Sequence, residues 1–215
     1  MVSFLNVKNI ERSTDGVEYH PLRPFLPVNA SVLFLGSFPP QRKRWCMDFF
    51  YPNFINDFWR LIGQIFFDDR NHFVDSTAKQ FRINEIVEFC TEYGLAFFDT
   101  STAVRRLQGN ASDKYLEVVI PTDIHMLLQQ LPHCRAIVTT GEKATETICA
   151  TLGIAEIPKV NSSVILPLKN SDNANLVLYR LPSSSRAYPL AFDKKVEAYK
   201  NLFSSIQQEN PRATA

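Results

Sequence analysis

Four short apolar runs punctuate the chain: Val32-Leu33-Phe34-Leu35, Leu95-Ala96-Phe97-Phe98, Ala136-Ile137-Val138-Thr139 and Leu176 to Leu181. Continuous apolarity over so few residues is what a strand covered on both faces shows. Between the runs the spacing changes. Ile55, Phe58, Trp59, Ile62 and Phe66 recur at helical steps, predicting a helix from Phe54 to Phe66. Ile83, Ile86, Val87 and Cys90 share one face of a second helix from Arg82 to Tyr93, with Gly94 as its stop. Further helices are predicted from Pro121-Thr122-Asp123 through Gln130, with Thr122 as N-cap, from Gly141 to about Leu152, and from Asp193 to Gln207. Residues 153–175 are polar apart from Val164 to Leu168 and read as an insertion or a hairpin. Strands alternating with helices predict an α/β fold, a three-layer α/β/α sandwich around a central four-stranded, mainly parallel sheet. The Pro-rich residues 1–29 predict an arm wrapping the body, and residues 210–215 a disordered tail. No internal repeat is present, so 1–215 reads as a single domain.

Composition narrows the class. At 215 residues and 45% hydrophobic, the chain buries a full core, and most of its 17 Phe residues belong there. A net charge of +1 excludes a bulk nucleic-acid coat but leaves room for a local basic rim. Cys46, Cys90, Cys134 and Cys149 form no CxxC pair, so reduced, buried thiols are expected and no metal site. The first ten residues lack a signal-peptide pattern and no apolar run spans a bilayer, which predicts a cytoplasmic protein without a membrane partner.

In a parallel sheet, ligands bind beyond the carboxyl ends of the strands. Here that rule selects Gly36-Ser37-Phe38-Pro39-Pro40, Asp99-Thr100-Ser101, Thr140-Gly141-Glu142 and Pro182-Ser183-Ser184-Ser185-Arg186. In the first, a glycine admits close backbone approach and two prolines stiffen the loop; a plain turn is the alternative. Three adjacent aromatics, Phe49, Phe50 and Tyr51, precede Pro52 and suit either a stacking wall for a planar ligand or a buried loop cluster. Asn56 is a pocket amide or a helix cap. Ser183, Ser184, Ser185 and Arg186 suit phosphate binding or form a capped, solvated turn. No GxGxxG or GxxxxGK[ST] is present, which removes support for nucleotide-cofactor and NTPase readings.

Taken together, Gly36-Ser37-Phe38-Pro39-Pro40, Phe50-Tyr51-Pro52 with Asn56-Asp57-Phe58-Trp59, Ile137-Val138-Thr139-Thr140-Gly141 and Leu181-Pro182-Ser183-Ser184-Ser185 resemble the uracil-DNA glycosylase superfamily, closest to its mismatch-specific and hypoxanthine-type branch. The likeness spans roughly residues 30–205. Two positions depart from it. Phe38 stands where many members carry an Asn or Asp that positions the attacking water, and Pro40 replaces a glycine.

The resemblance implies a monofunctional DNA glycosylase of base excision repair. Such an enzyme flips a deaminated base, uracil or hypoxanthine, out of damaged or mismatched DNA and hydrolyses its N-glycosidic bond without metal or cofactor. It implies Asn56 as the catalytic amide. Gly36, Ser37, Phe38, Thr140 and Gly141 would line the base pocket, and one of Phe49, Phe50 or Tyr51 would stack on the base. Ser183, Ser184, Ser185 and Arg186 would grip the DNA, helped by Arg42, Lys43 and Arg44. His20, His72, His125 and His133 fall outside these motifs and read as surface or structural residues; the protein is expected to be a monomer. A non-catalytic damage sensor on the same fold is the main alternative, supported by Phe38. A serine esterase ranks lower, because no G-x-S-x-G occurs.

Overall fold

A computed structural model describes residues 16–107, 115–169 and 175–209. Most of the expected arm (1–15) and all of the expected tail (210–215) lie outside the described residues. The four apolar runs become β2 (Val32–Gly36), β5 (Leu95–Asp99), β8 (Ala136–Thr140) and β10 (Asn175–Leu181). They lie parallel in the order β5-β2-β8-β10. All five residues of β5 and of β8 are buried, as strands covered on both faces require.

The sheet has one strand more than the sequence predicts. Ser162–Lys169 forms β9, which pairs antiparallel with β10 and makes the sheet five-stranded. The hairpin reading of that region is therefore the right one. Strand β9 is an outer strand with alternating exposure, which is why it tolerates Pro167 and escapes a search for continuous apolar runs.

Helices α1 (Phe58–Phe67), α2 (Ile83–Glu92), α3 (Ile124–Gln129), α4 (Glu142–Leu152) and α5 (Phe192–Glu209) complete the layers. Phe34 of β2 ties them to the sheet, stacked on Phe97 at 5.4 Å and in contact with Phe58 of α1 and Phe203 of α5. Helix α1 starts four residues later than the periodicity predicts, because Asn53 to Asp57 form a turn held by the Asn56 amide. Thr122 is not the cap of α3: the Asp123 carboxylate accepts the Met126 N–H at 3.0 Å, while the Thr122 hydroxyl donates to the Asp99 carbonyl at 2.6 Å.

A second sheet was not foreseen. β1 (Val17–Tyr19), β6 (Ser101–Arg106) and β7 (Leu116–Pro121) form an antiparallel trio in the order β1-β6-β7. A short hairpin, β3 (Val74–Asp75) with β4 (Gln80–Phe81), bridges α1 and α2. Only Thr100 separates β5 from β6, so the chain passes from one sheet to the other at Asp99. The segment after β1 runs back along β5, where Phe25 and Phe97 exchange backbone hydrogen bonds of 3.0 and 2.9 Å.

Candidate functional site

A cavity of about 920 Å³ opens past the carboxyl ends of the four parallel strands. Its wall is built from the strand ends and the turns that follow them: Gly36 to Pro40 at the end of β2, Asp99 closing β5, Thr140 and Gly141 at the end of β8, and Ser183 to Pro189 after β10. Phe50, Tyr51 and Asn56 close one side, while Arg44, Glu142, Lys143 and Glu146 belong to the rim.

The aromatic triplet divides by position. Phe49 is core, 5.1 Å from Phe25 and 5.9 Å from Trp59, and does not line the cavity. Phe50 lines it but is only 5% exposed. Tyr51 is half-buried, with one ring face stacked on Phe58 at 3.8 Å and its hydroxyl 2.7 Å from Thr140 Oγ1. Its φ of 51° is the left-handed region, which costs a residue with a Cβ. The carbonyls on either side of it are pinned, Phe50 O by the Trp59 indole N–H at 3.0 Å and Pro52 O by the Cys46 N–H at 2.9 Å. Those two bonds hold the strained turn in place.

Asn56 lines the cavity and also serves the helix. Its Oδ1 accepts the Phe58 N–H at 2.9 Å, and its own carbonyl accepts from Arg60 at 3.2 Å. The amide oxygen is thus committed. The side-chain NH₂ faces no acceptor among the described residues, so Asn56 offers the pocket donors.

Ser183, Ser184 and Ser185 form a self-braced turn. Ser183 Oγ accepts the Ser185 N–H and Ser185 Oγ accepts the Ala187 N–H, both at 3.2 Å. Buried Lys195 donates to the Ser185 carbonyl at 2.7 Å, and Tyr199 to the Pro182 carbonyl at 3.0 Å. Burial pushes the Tyr199 hydroxyl up and the Lys195 amine down, the latter opposed by Asp57. Arg186 Nε donates to Asp57 Oδ1 at 2.8 Å, and Arg70 stands 3.9 Å from the same oxygen. Arg60 is buried, and its guanidinium is pushed down first by that burial and then by Arg186. One buried carboxylate therefore sits among four cations.

The basic triplet splits. Arg44 reaches the rim, whereas Arg42 pairs with Asp48 and stacks on Trp45 at 4.4 Å, and neither Arg42 nor Lys43 lines the cavity. Phe38 lines the cavity but packs into a small cluster with Val104 and Leu116, with Arg106 5.6 Å from its ring. Phe38 also meets a residue that sequence reasoning set aside. His20 is not on the surface: its side chain is 3% exposed, edge-on to Phe38 at 5.4 Å, and its Nε2 lies 3.0 Å from Asp99 Oδ2. Asp99 is among the residues that the strand-end rule selects. His20 carried no local signal, because its partner is 79 residues away.

No protein-family profile matches the chain, and no curated protein does. Among solved structures, the solution NMR structure of a "putative Uracil DNA glycosylase" from Methanosarcina acetivorans superimposes with a TM-score of 0.58 at 20% identity, covering 89% of this chain and 99% of that one. The two chains share a fold. In this fold the cavity occupies the place where an open α/β sheet receives its ligand, and the sequence-predicted site residues other than Phe49, Arg42 and Lys43 line it. Among the described residues no helix is long and apolar enough to cross a membrane.

Proposed function

We propose that the protein is a DNA glycosylase that hydrolyses the N-glycosidic bond of a deaminated base flipped into this cavity. The observation that carries the proposal is the meeting, at the strand ends, of a cavity roomy enough to admit a nucleotide, a rigidly held Tyr51 and a Ser-Ser-Ser-Arg turn. Tyr51, which lines the cavity, stacks on the base. Gly36, Ser37, Phe38, Thr140 and Gly141 surround it. Ser183, Ser184 and Ser185 hold flanking phosphates, with Arg44 and Arg186 on the rim and Arg42 and Lys43 adding longer-range attraction.

In the reaction, the bond between C1′ and the base nitrogen breaks with its electron pair leaving on the base, a water oxygen bonds to C1′, and the proton that water loses passes to the departing base. Asn56 steadies that water or the base edge through its N–H groups. With its oxygen committed to Phe58 it takes no proton, so the rate rests on stabilising the departing base anion and the cationic sugar. Phe38 at the usual water-positioning place favours a second reading, a damage sensor that binds the same DNA without cleaving it.

One experiment separates the two. Purified protein is incubated with single- and double-stranded oligonucleotides carrying uracil, hypoxanthine or xanthine, and abasic product is measured. Release of one of these bases supports the enzyme. Tight binding of lesion DNA with no release establishes the sensor.

A further inference from the structure

Helix α5 reaches the serine turn after β10 with two side chains one helical turn apart. Lys195 Nζ donates to the Ser185 carbonyl at 2.7 Å, which the Tyr188 N–H also reaches at 3.1 Å, and the Tyr199 hydroxyl donates to the Pro182 carbonyl at 3.0 Å. The Asp57 N–H takes the Ser184 carbonyl at 3.1 Å. A trans peptide carries its N–H opposite its carbonyl. With the Pro182 and Ser185 carbonyls held by α5, the N–H groups of Ser183 and Arg186 point the other way, and neither meets an acceptor among the described residues. The Ser183 and Ser185 hydroxyl oxygens accept the Ser185 and Ala187 N–H groups, which leaves both hydroxyl hydrogens without an acceptor as well. Ser183, Ser185 and Arg186 all line the cavity.

Lys195 is the odd member of this group. It is 1% exposed, and a lysine is almost never so buried without a charged partner. Yet no carboxylate lies within 4 Å of its amine among the described residues, and Asp57 acts on it only from farther off. It is also the fourth residue of α5, at the positive end of the helix dipole, where a cation is disfavoured. Burial and position both cost stability, and a neutral donor would hold the Ser185 carbonyl without either cost. What the charge adds is potential: an ammonium on a carbonyl polarises the amide and strengthens the N–H at its far end. We propose that Lys195 charges this turn from beneath, through the Ser185–Arg186 peptide, for one phosphodiester of a nucleic-acid strand. The N–H groups of Ser183 and Arg186 and the two hydroxyls receive its anionic oxygens. Lys195 does not touch the strand; it is a positioning residue. The inference rests on the reading that the cavity receives DNA, but not on whether a base is cleaved.

The test measures binding of the full chain to single- and double-stranded oligonucleotides carrying a tetrahydrofuran abasic site, with each neighbouring phosphodiester replaced in turn by a neutral methylphosphonate. Wild type is expected to lose about tenfold in affinity at one linkage, beyond any loss at the others. Lys195→Gln keeps an N–H for the Ser185 carbonyl and gives up the charge. It should bind the unmodified strand about tenfold more weakly and no longer single out that linkage. Lys195→Met carries the same expectation, and Lys195→Arg should restore both properties. A merely structural lysine would lower the melting temperature and weaken every oligonucleotide alike, leaving the contrast between linkages intact. No binding by wild type, no sensitive linkage in wild type, or an undiminished contrast in folded Lys195→Gln overturns the inference. So does failure of both Lys195→Gln and Lys195→Met to fold, which would assign the amine to the fold. Base release, assayed in parallel, reports separately on the glycosylase: a protein that shows the sensitive linkage and releases no base keeps this inference and loses that one.

Discussion

Asn56 shows how one side chain can answer to two demands. The amino-acid sequence leaves it as either a helix cap or a pocket amide. The Phe58 N–H held at 2.9 Å and the place in the cavity wall make it both. Truncation therefore has two separable effects. Asn56→Ala should lower stability by about 1 kcal/mol through the lost cap, read from urea unfolding. Base release per folded molecule should fall by about a hundredfold or more, while lesion-DNA affinity stays within about threefold, as for other single donors that act on a transition state. Loss of stability with unchanged release would leave only the cap. At the same scale, the choice among Phe49, Phe50 and Tyr51 is invisible in sequence because all three are aromatic and adjacent. What separates them is burial, with Phe49 in the core, Phe50 nearly enclosed and Tyr51 half-buried on a left-handed turn at the cavity.

Among elements, legibility followed local pattern. β2, β5 and β8 are readable because both of their faces are covered, while β10 is covered less completely and keeps its apolar run apart from Arg180. β1 has three residues, and β7 is exposed over most of its length, so neither announces a second sheet. The link between the turn before α1 and the turn after β10 is likewise silent, since Asp57 and Arg186 are 129 residues apart. That link carries a prediction with two opposite signs. Asp57→Asn removes the anion that Arg60, Arg70, Arg186 and Lys195 share. Stability should drop by about 1–3 kcal/mol, the lower part of that range because Arg186 is half-exposed. DNA affinity at low salt should rise, with a log–log salt slope steeper by about one, because one more cation is free to meet a phosphate. Binding isotherms across a salt series check the second part; an unchanged slope would mean that these cations do not face DNA.

For the molecule as a whole, the near-neutral charge and the buried thiols say different things. A net charge of +1 hides a cationic group gathered around a single carboxylate, so the average is a poor guide to the surface DNA would meet. The cysteines behave as their scattered spacing implies: Cys90, Cys134 and Cys149 are buried and Cys46 is half-buried. Burial pushes the Cys90 thiol up and that of Cys134 to about 12, leaving almost no thiolate, the reactive form, near pH 8. A thiol-reactive dye should therefore label only Cys46 in the native protein, slowly because burial raises that thiol too, and all four in urea. Rapid native labelling of two or more would show that the core is looser than described.

The bond between His20 and Asp99 also sets an order of events. Tyr19 has its strand partner at Ala103, and the His20 N–H donates to the Thr102 carbonyl. A ribosome makes residues 17–22 long before it makes 95–106, so during synthesis this stretch waits without a partner while β2 and α1 emerge. The waiting is cheap, since each doubling of a closing loop costs only about 0.6 kcal/mol. The cavity wall is nevertheless finished late, by a segment translated early, and stays open in a nascent chain until its first-made strand has come back to meet the sixth.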